Sequence, residues 1–347
     1  MAGSKKIKKQ DLAQLLSQWS QEFSLFVPSR TSGPAEMTEY DGQDTSFLGW
    51  YRNTIIPPKA SFLPHMEEMF SFHRNKQGHQ LELPPPEEQK RLIFAIRPCD
   101  ARALTILDNV FEDAYQDPYY RGRRRRAILV GLGCTNPYDS CFCTSVGGGP
   151  SETTGVDIML TDIGDELVTR GITKAGEELI ARSNLARATK ADQKRAEQSQ
   201  EAARQKVTRK VDTRDMASRL QAVFDDRDYW QQIAAKCLSC GICTLLCPTC
   251  YCFDINDEGS PEKGTRCRSL DSCAFPVYTK MPMENPRDEK WRRVRNRLCH
   301  KYEFYPMLFD TIACTGCGRC IRLCPVNWDI AQILEGVPEL SQAEGPK

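Results

Sequence analysis

Two stretches of the chain repeat one cysteine pattern. Cys237-Leu-Ser-Cys240-Gly-Ile-Cys243-Thr-Leu-Leu-Cys247-Pro248 recurs as Cys314-Thr-Gly-Cys317-Gly-Arg-Cys320-Ile-Arg-Leu-Cys324-Pro325. This is the C-x₂-C-x₂-C-x₃-C-P run that holds [4Fe–4S] clusters. A tight loop aims three thiolates at one cubane, and the fourth, on the following helical turn, points at the other. The spacing therefore assigns Cys237, Cys240, Cys243 and Cys324 to cluster one, and Cys314, Cys317, Cys320 and Cys247 to cluster two. Gly241, Gly316 and Gly318 leave room for backbone N–H groups to approach sulfide. Zinc favours sites built from separated C-x₂-C pairs, so two complete copies with both prolines favour iron–sulfur.

A second group is Cys99, Cys134, Cys141 and Cys143. Cys99 opens an expected helix, where free N–H groups and the helix dipole stabilise an anion. Cys134 closes an expected strand, and a bent loop before Gly147-Gly-Gly-Pro150 brings Cys141 and Cys143 to one centre. The group predicts a third [4Fe–4S] cluster, against the alternative of four buried structural thiols. About twelve irons per chain would mark it and about eight would exclude it. Cys250, Cys252, Cys267, Cys273 and Cys299 are left without an assigned role. Cys243-x₃-Cys247-x₂-Cys250 also has the spacing of radical S-adenosylmethionine enzymes, but the 97 residues that follow are too few for their barrel. The ferredoxin run explains it better.

The elements that position these thiols follow from hydrophobic patterning. Arg91–Ile96 and Ala127–Gly133 are apolar runs fit for buried strands, and each delivers a cysteine to the loop beyond it. Such strand ends are where open α/β sheets build cofactor sites. Pro98 and Asp100 mark a helix start leading into Ala101–Phe111. Val156–Thr161 and Glu166–Arg170 read as a strand with a hairpin partner. Residues 175–223 have helix composition with sparse apolar positions, which predicts a largely solvated connector. The fold class expected is α+β, a mixed α/β N-terminal domain followed by a helical dicluster ferredoxin domain. Its divisions are a mixed α/β domain over 1–174, a charged helical connector over 175–225, the ferredoxin domain over 226–335 and a tail over 336–347. The 66 residues between Cys247 and Cys314 are too many for a compact bacterial ferredoxin and suit the helical form.

Composition sets the bounds. The 347 residues carry 17 cysteines, an odd number that excludes complete internal disulfide pairing. The N-terminus lacks the apolar core and cleavage site of a secretory signal. No stretch approaches eighteen consecutive apolar residues, and mean hydropathy is −0.52. A reducing, cytoplasmic location without membrane insertion is expected, where cysteine density of this kind means metal. The 47 basic and 46 acidic groups give no bias toward nucleic acid. The run Arg121-Gly-Arg-Arg-Arg-Arg126 lacks an accompanying aromatic array and is given no nucleic-acid role. Four histidines make a His-rich catalytic metal site an unlikely design. No G-x-G-x-x-G or G-x-x-x-x-G-K-[ST] occurs, so no nucleotide site is expected.

The chain resembles a family of 4Fe-4S dicluster electron-transfer subunits that includes the beta subunit of cytoplasmic sulfhydrogenases and the A subunit of anaerobic sulfite reductases. The matching stretches are Pro57-Pro-Lys59 with Glu67-Glu-Met-Phe70, Arg97-Pro-Cys-Asp-Ala-Arg-Ala103, Asp117-Pro-Tyr-Tyr120 and Cys141-Phe-Cys-Thr-Ser145. Cys237–Gly241, Cys247-Pro-Thr-Cys-Tyr-Cys252, Asp271-Ser-Cys273 and Cys314–Val326 complete them, so the resemblance spans roughly 50–335. It implies a subunit of an anaerobic oxidoreductase complex, conducting electrons between a flavoprotein subunit that handles a nicotinamide cofactor and a catalytic oxidoreductase subunit. No catalytic residue is assigned under this reading. Arg322 and the basic stretch Arg292, Arg293, Arg295, Arg297 and Lys301 are candidates for tuning cluster potentials, the alternative being an exposed basic face. Two other readings are a catalytic reductase whose N-terminal cluster has an open site, and an iron–sulfur nucleic-acid-binding protein.

Overall fold

The computed structural model describes residues 3–30, 33–42, 45–76, 78–85 and 88–340. Its strands are β1 (Lys5–Lys8), β2 (Ser24–Ser29), β3 (Glu36–Glu39), β4 (Met66–Asn75), β5 (Gly78–Glu82) and β6 (Arg91–Ile96). There follow β7 (Ala127–Leu132), β8 (Ile158–Asp162), β9 (Glu166–Gly171), β10 (Ala186–Arg187), β11 (Phe253–Gly259) and β12 (Lys263–Leu270). Eight form one sheet in the order β10-β1-β9-β8-β7-β6-β2-β3. Its centre, β2-β6-β7-β8, is parallel, with antiparallel strands on both flanks.

The near-continuous apolar sequence of β6 and β7 follows from burial on both faces. On one face Leu12 and Leu16 of helix Leu12–Ser20 and Leu179 of helix Lys174–Arg182 pack with Phe94 and Val130. On the other, Leu104 and Leu107 of helix Pro98–Phe111 pack with Ile93 and Leu129. Because β6 and β7 run parallel, Cys99 and Cys134 emerge at the same edge of the sheet. The register of β6 on β7 shifts between Phe94 and Ile96, where buried Ala95 adopts φ +60°. A bulge of this kind re-aims the strand beside a functional site.

The stretch 174–222 is not one continuous helix. It forms helices Lys174–Arg182, Lys190–Gln205 and Met216–Ala222, with β10 at the sheet edge between the first two. Leu179 and Ile180 enter the main core, so the first helix belongs to the sheet layer. Thr189 and Asp192 form a reciprocal capping box that starts the second helix. Val211, Met216 and Leu220 are buried with Trp230, Trp291, Leu298, Trp328 and Leu334 in the core around the ferredoxin motifs. Phe142 and Val146, from the loop after β7, join that same core. Of the expected tail 336–347, residues 341–347 lie outside the described residues.

The long insert between the two cysteine motifs carries the β11–β12 hairpin, which pairs with β4 and β5 in a second antiparallel sheet. A buried ion network fastens this sheet to the first domain. Arg268 of β12 is 3% exposed and donates to Glu67 of β4 and to Asp117. Asp117 also caps helix Pro118–Arg125, and Arg123 pairs with Glu67 at 2.7 Å. The Glu67 and Asp117 stretches thus serve the docking of the hairpin. The arginine run is occupied in the same way: Arg124 binds Asp108, Arg125 lies 3.7 Å from Glu112, and Arg126 donates to the Glu88 carbonyl.

Candidate metal centres

One cavity is lined by Cys237, Cys240, Cys243 and Cys324, the set that the spacing assigns to cluster one. The loop is held by backbone N–H groups directed at sulfur, from Ser239 to Cys237 Sγ at 3.4 Å and from Trp328 to Cys324 Sγ at 3.2 Å. Gly241, at φ +76°, starts the following helical turn, and a Cβ there would stand 2.7 Å from the Phe275 ring. Cys240 is exposed, so this centre has an edge at the protein surface.

The second set lies deeper. Burial raises the Cys320 thiol above its ordinary range, and Arg297, Cys247, Cys314 and Cys317 surround it. Gly316, at φ +61°, lies so close to the loop after β7 that a Cβ would meet the Phe142 carbonyl carbon and the Cys143 nitrogen at 2.6 Å. Its glycine is therefore required by this packing as well as by the approach to sulfide. Two buried cations stand among the thiols. Lys301 donates to Cys247 Sγ at 3.4 Å, Thr249 Oγ1 at 2.9 Å and the Ala313 carbonyl at 2.9 Å. Arg297 faces Cys243, Cys250, Cys320 and Cys247, and its Nε and Nη2 have no acceptor among the described residues. Idle buried donors are costly, and those of Arg297 suit the sulfides of an iron–sulfur group. Removing the Lys301 charge is expected to lower the potential of cluster two. One charge at ~7 Å and an effective dielectric of ~20 is worth about 2 kcal/mol, on the order of 100 mV for one electron. Redox-monitored EPR of Lys301→Met checks this.

Cys99, Cys134, Cys141 and Cys143 line a further cavity of about 30 Å³ together with Gly149, Pro150 and Cys317. The Cys134 N–H donates to the Pro150 carbonyl at 2.9 Å, which folds the Gly-rich loop back over the strand end. Arg97 clamps the cavity from behind, donating from Nη1 to the carbonyls of Leu132 and Gly133 and from Nε to that of Arg52. Burial pushes the Cys141 and Cys143 thiols up to about 12 and about 11. This set touches the second one. Cys141 Sγ is 3.7 Å from the Cys317 carbonyl, and the Phe142 N–H donates to Gly316 at 2.9 Å.

Sequence reasoning passed over one residue that binds the two regions together. Arg319, fully buried, forms a bidentate pair with Asp100, the neighbour of Cys99, at 2.6 and 2.8 Å. The signal was present as an acid beside one cysteine and a base beside another, but their proximity is tertiary. The basic stretch divides. Arg297 and Lys301 face thiols, whereas Arg293 and Arg295 are spent on backbone carbonyls and Arg292 is part-exposed. Arg322 stacks on Tyr138 and donates to Asn53, near Cys317 and Cys141.

Among the described residues no three His, Cys, Asp or Glu side chains are placed to hold a single metal ion. The profile of the 4Fe-4S dicluster domain matches residues 236–328. The beta subunit of sulfhydrogenase 2 from Pyrococcus furiosus is 28% identical over 319 residues, which is 91% of this chain and 92% of that subunit. Residues 236–328 form a 4Fe-4S dicluster domain, and over most of its length the chain is similar to that sulfhydrogenase subunit. No solved structure matches it. The dicluster domain carries two [4Fe–4S] clusters, and no helix among the described residues is long and apolar enough to cross a membrane.

Proposed function

We propose that this dicluster subunit relays electrons between a flavoprotein partner using a nicotinamide cofactor and a catalytic oxidoreductase partner. [4Fe–4S] clusters supply one-electron centres, and the ligands we assign are the two sets read from the spacing, with Cys99, Cys134, Cys141 and Cys143 for a third. The observation that carries this reading is the contiguity of the three sets. Cys240 stands at the surface, Cys243 neighbours Cys247 in the interior, and Cys317 abuts Cys141. Such a row suits conduction from one face to another. The chain's own residues contribute N–H groups to sulfur, buried cations and a water-poor environment, which are the levers on potential. All four thiols of the third set face one cavity, which favours a fully ligated relay over a catalytic centre with an open iron there.

Purification of the native complex tests the reading. Co-elution with a flavoprotein and a second oxidoreductase subunit is expected. A chain that elutes alone and reduces substrate unaided would overturn it.

A further inference from the structure

Three of the five cysteines without a role converge on one place. Cys250, Cys252 and Cys273 line a cavity of about 330 Å³, open to solvent, together with Tyr278, Arg297 and His300. The long insert explains how they meet. Cys252 immediately precedes β11, and the return strand β12 ends at Leu270. The Asp271 N–H then donates to the Cys252 carbonyl at 2.9 Å, which sets Cys273 beside the start of the hairpin. Lys59, buried, donates to the Cys250 carbonyl at 2.7 Å and fixes the segment that carries Cys250. Cys267 is buried within β12, and Cys299 is buried in the ferredoxin core, so neither lines this cavity.

Two observations point to a ligand. The first is Arg297, 5% exposed, whose Nη1 reaches Cys250 Sγ at 3.6 Å while its Nε and Nη2 have no acceptor among the described residues. A buried guanidinium with idle donors calls for an anionic acceptor. The second is that the three thiols border one open cavity, with Cys252 against Cys273 and Cys250 against Cys247. Three thiols fall one short of the closed four-ligand set of a structural zinc site, and an iron–sulfur group is the thiolate-held alternative.

We propose that Cys250, Cys252 and Cys273 hold an additional iron–sulfur cluster, with one iron left to face the open cavity and accept a small anion. His300 lines the same cavity and pairs through Nε2 with the Tyr251 hydroxyl at 3.1 Å, and it is not assigned as a ligand. The Cys250 thiol neighbours that of Cys247, so this centre borders cluster two. Cluster two then becomes a branch point, with one arm toward the Cys99 set and another toward a centre that meets solvent. The inference uses none of the third set and stands or falls apart from it.

The test is iron and acid-labile sulfide analysis of the anaerobically reconstituted full chain beside two variants. The triple variant Cys250→Ala, Cys252→Ala, Cys273→Ala is expected to lose about four irons and to keep the EPR signals of the dicluster. Cys134→Ser is expected to lose a different four, so failure of the third set reads separately. Unchanged iron in the triple variant overturns the proposal. Alkylation mapping of the parent chain guards against a variant that simply misfolds. The three thiols should resist N-ethylmaleimide until the iron is chelated. Labelling in the iron-loaded chain, or recovery of a Cys252–Cys273 disulfide, overturns the assignment. Cyanide should alter the EPR signal that the triple variant lacks, and a signal insensitive to cyanide overturns the open iron.

Discussion

Cys240→Ser is expected to stop electron flow through the complex while leaving each partner's own half-reaction intact. The residue supplies one of the four thiolates we assign to cluster one, at the exposed end of the row. Loss of residues that merely orient metal ligands costs about 10–100-fold, so loss of a ligand should lower coupled turnover by more than about 100-fold. The two half-reactions, assayed with artificial donors and acceptors, bypass this centre. Whole-complex turnover within a few-fold of the parent would show that cluster one, as assigned, is not on the path. A parallel loss of one half-reaction would mean that the partner had also been disturbed.

Asp100→Ala is expected to be the most damaging substitution outside the cysteines. It leaves Arg319 charged and without its carboxylate in a fully buried position, near Cys317 and Cys99. Breaking such a pair on one side costs about 3–5 kcal/mol. The loss falls on the contact between the sheet domain and the second ferredoxin motif, since Arg319 also donates to the Thr54 carbonyl at 2.7 Å. Urea denaturation of the loaded chain measures it. Replacing both partners with apolar residues, Asp100→Leu with Arg319→Met, should recover most of the stability, because an apolar pair carries no desolvation cost. A double variant as unstable as Asp100→Ala would place the damage in packing and not in the orphaned charge.

Local patterns in the sequence were enough for the parts of this molecule whose chemistry is local. The repeated cysteine run is read from spacing alone because loop and helical turn follow each other within twelve residues. Strands β6 and β7 were equally legible, since burial on both faces removes polar residues from them. The β11–β12 hairpin was not, because its partner strand β4 lies almost two hundred residues away and its outer face is solvated. The Ala95 bulge leaves no mark in a residue type that normally avoids positive φ. The basic stretch was ambiguous for a different reason. Arg292 and Arg297 lie on one helix in similar sequence surroundings, and only the packing of that helix decides that one meets solvent and the other meets thiols. Arg123, Arg124 and Arg125 find their acids at Glu67, Asp108 and Glu112, positions that the packing of their helix and not its own sequence selects.

The central claim is that this chain conducts electrons between partners, and rapid-mixing spectroscopy of the native complex tests it most directly. The complex is mixed with the reduced nicotinamide cofactor and then with the acceptor of the catalytic partner. Iron–sulfur absorbance should bleach and recover at rates no slower than steady-state turnover, in the parent and not in Cys240→Ser. Clusters that stay oxidised throughout turnover would contradict the account.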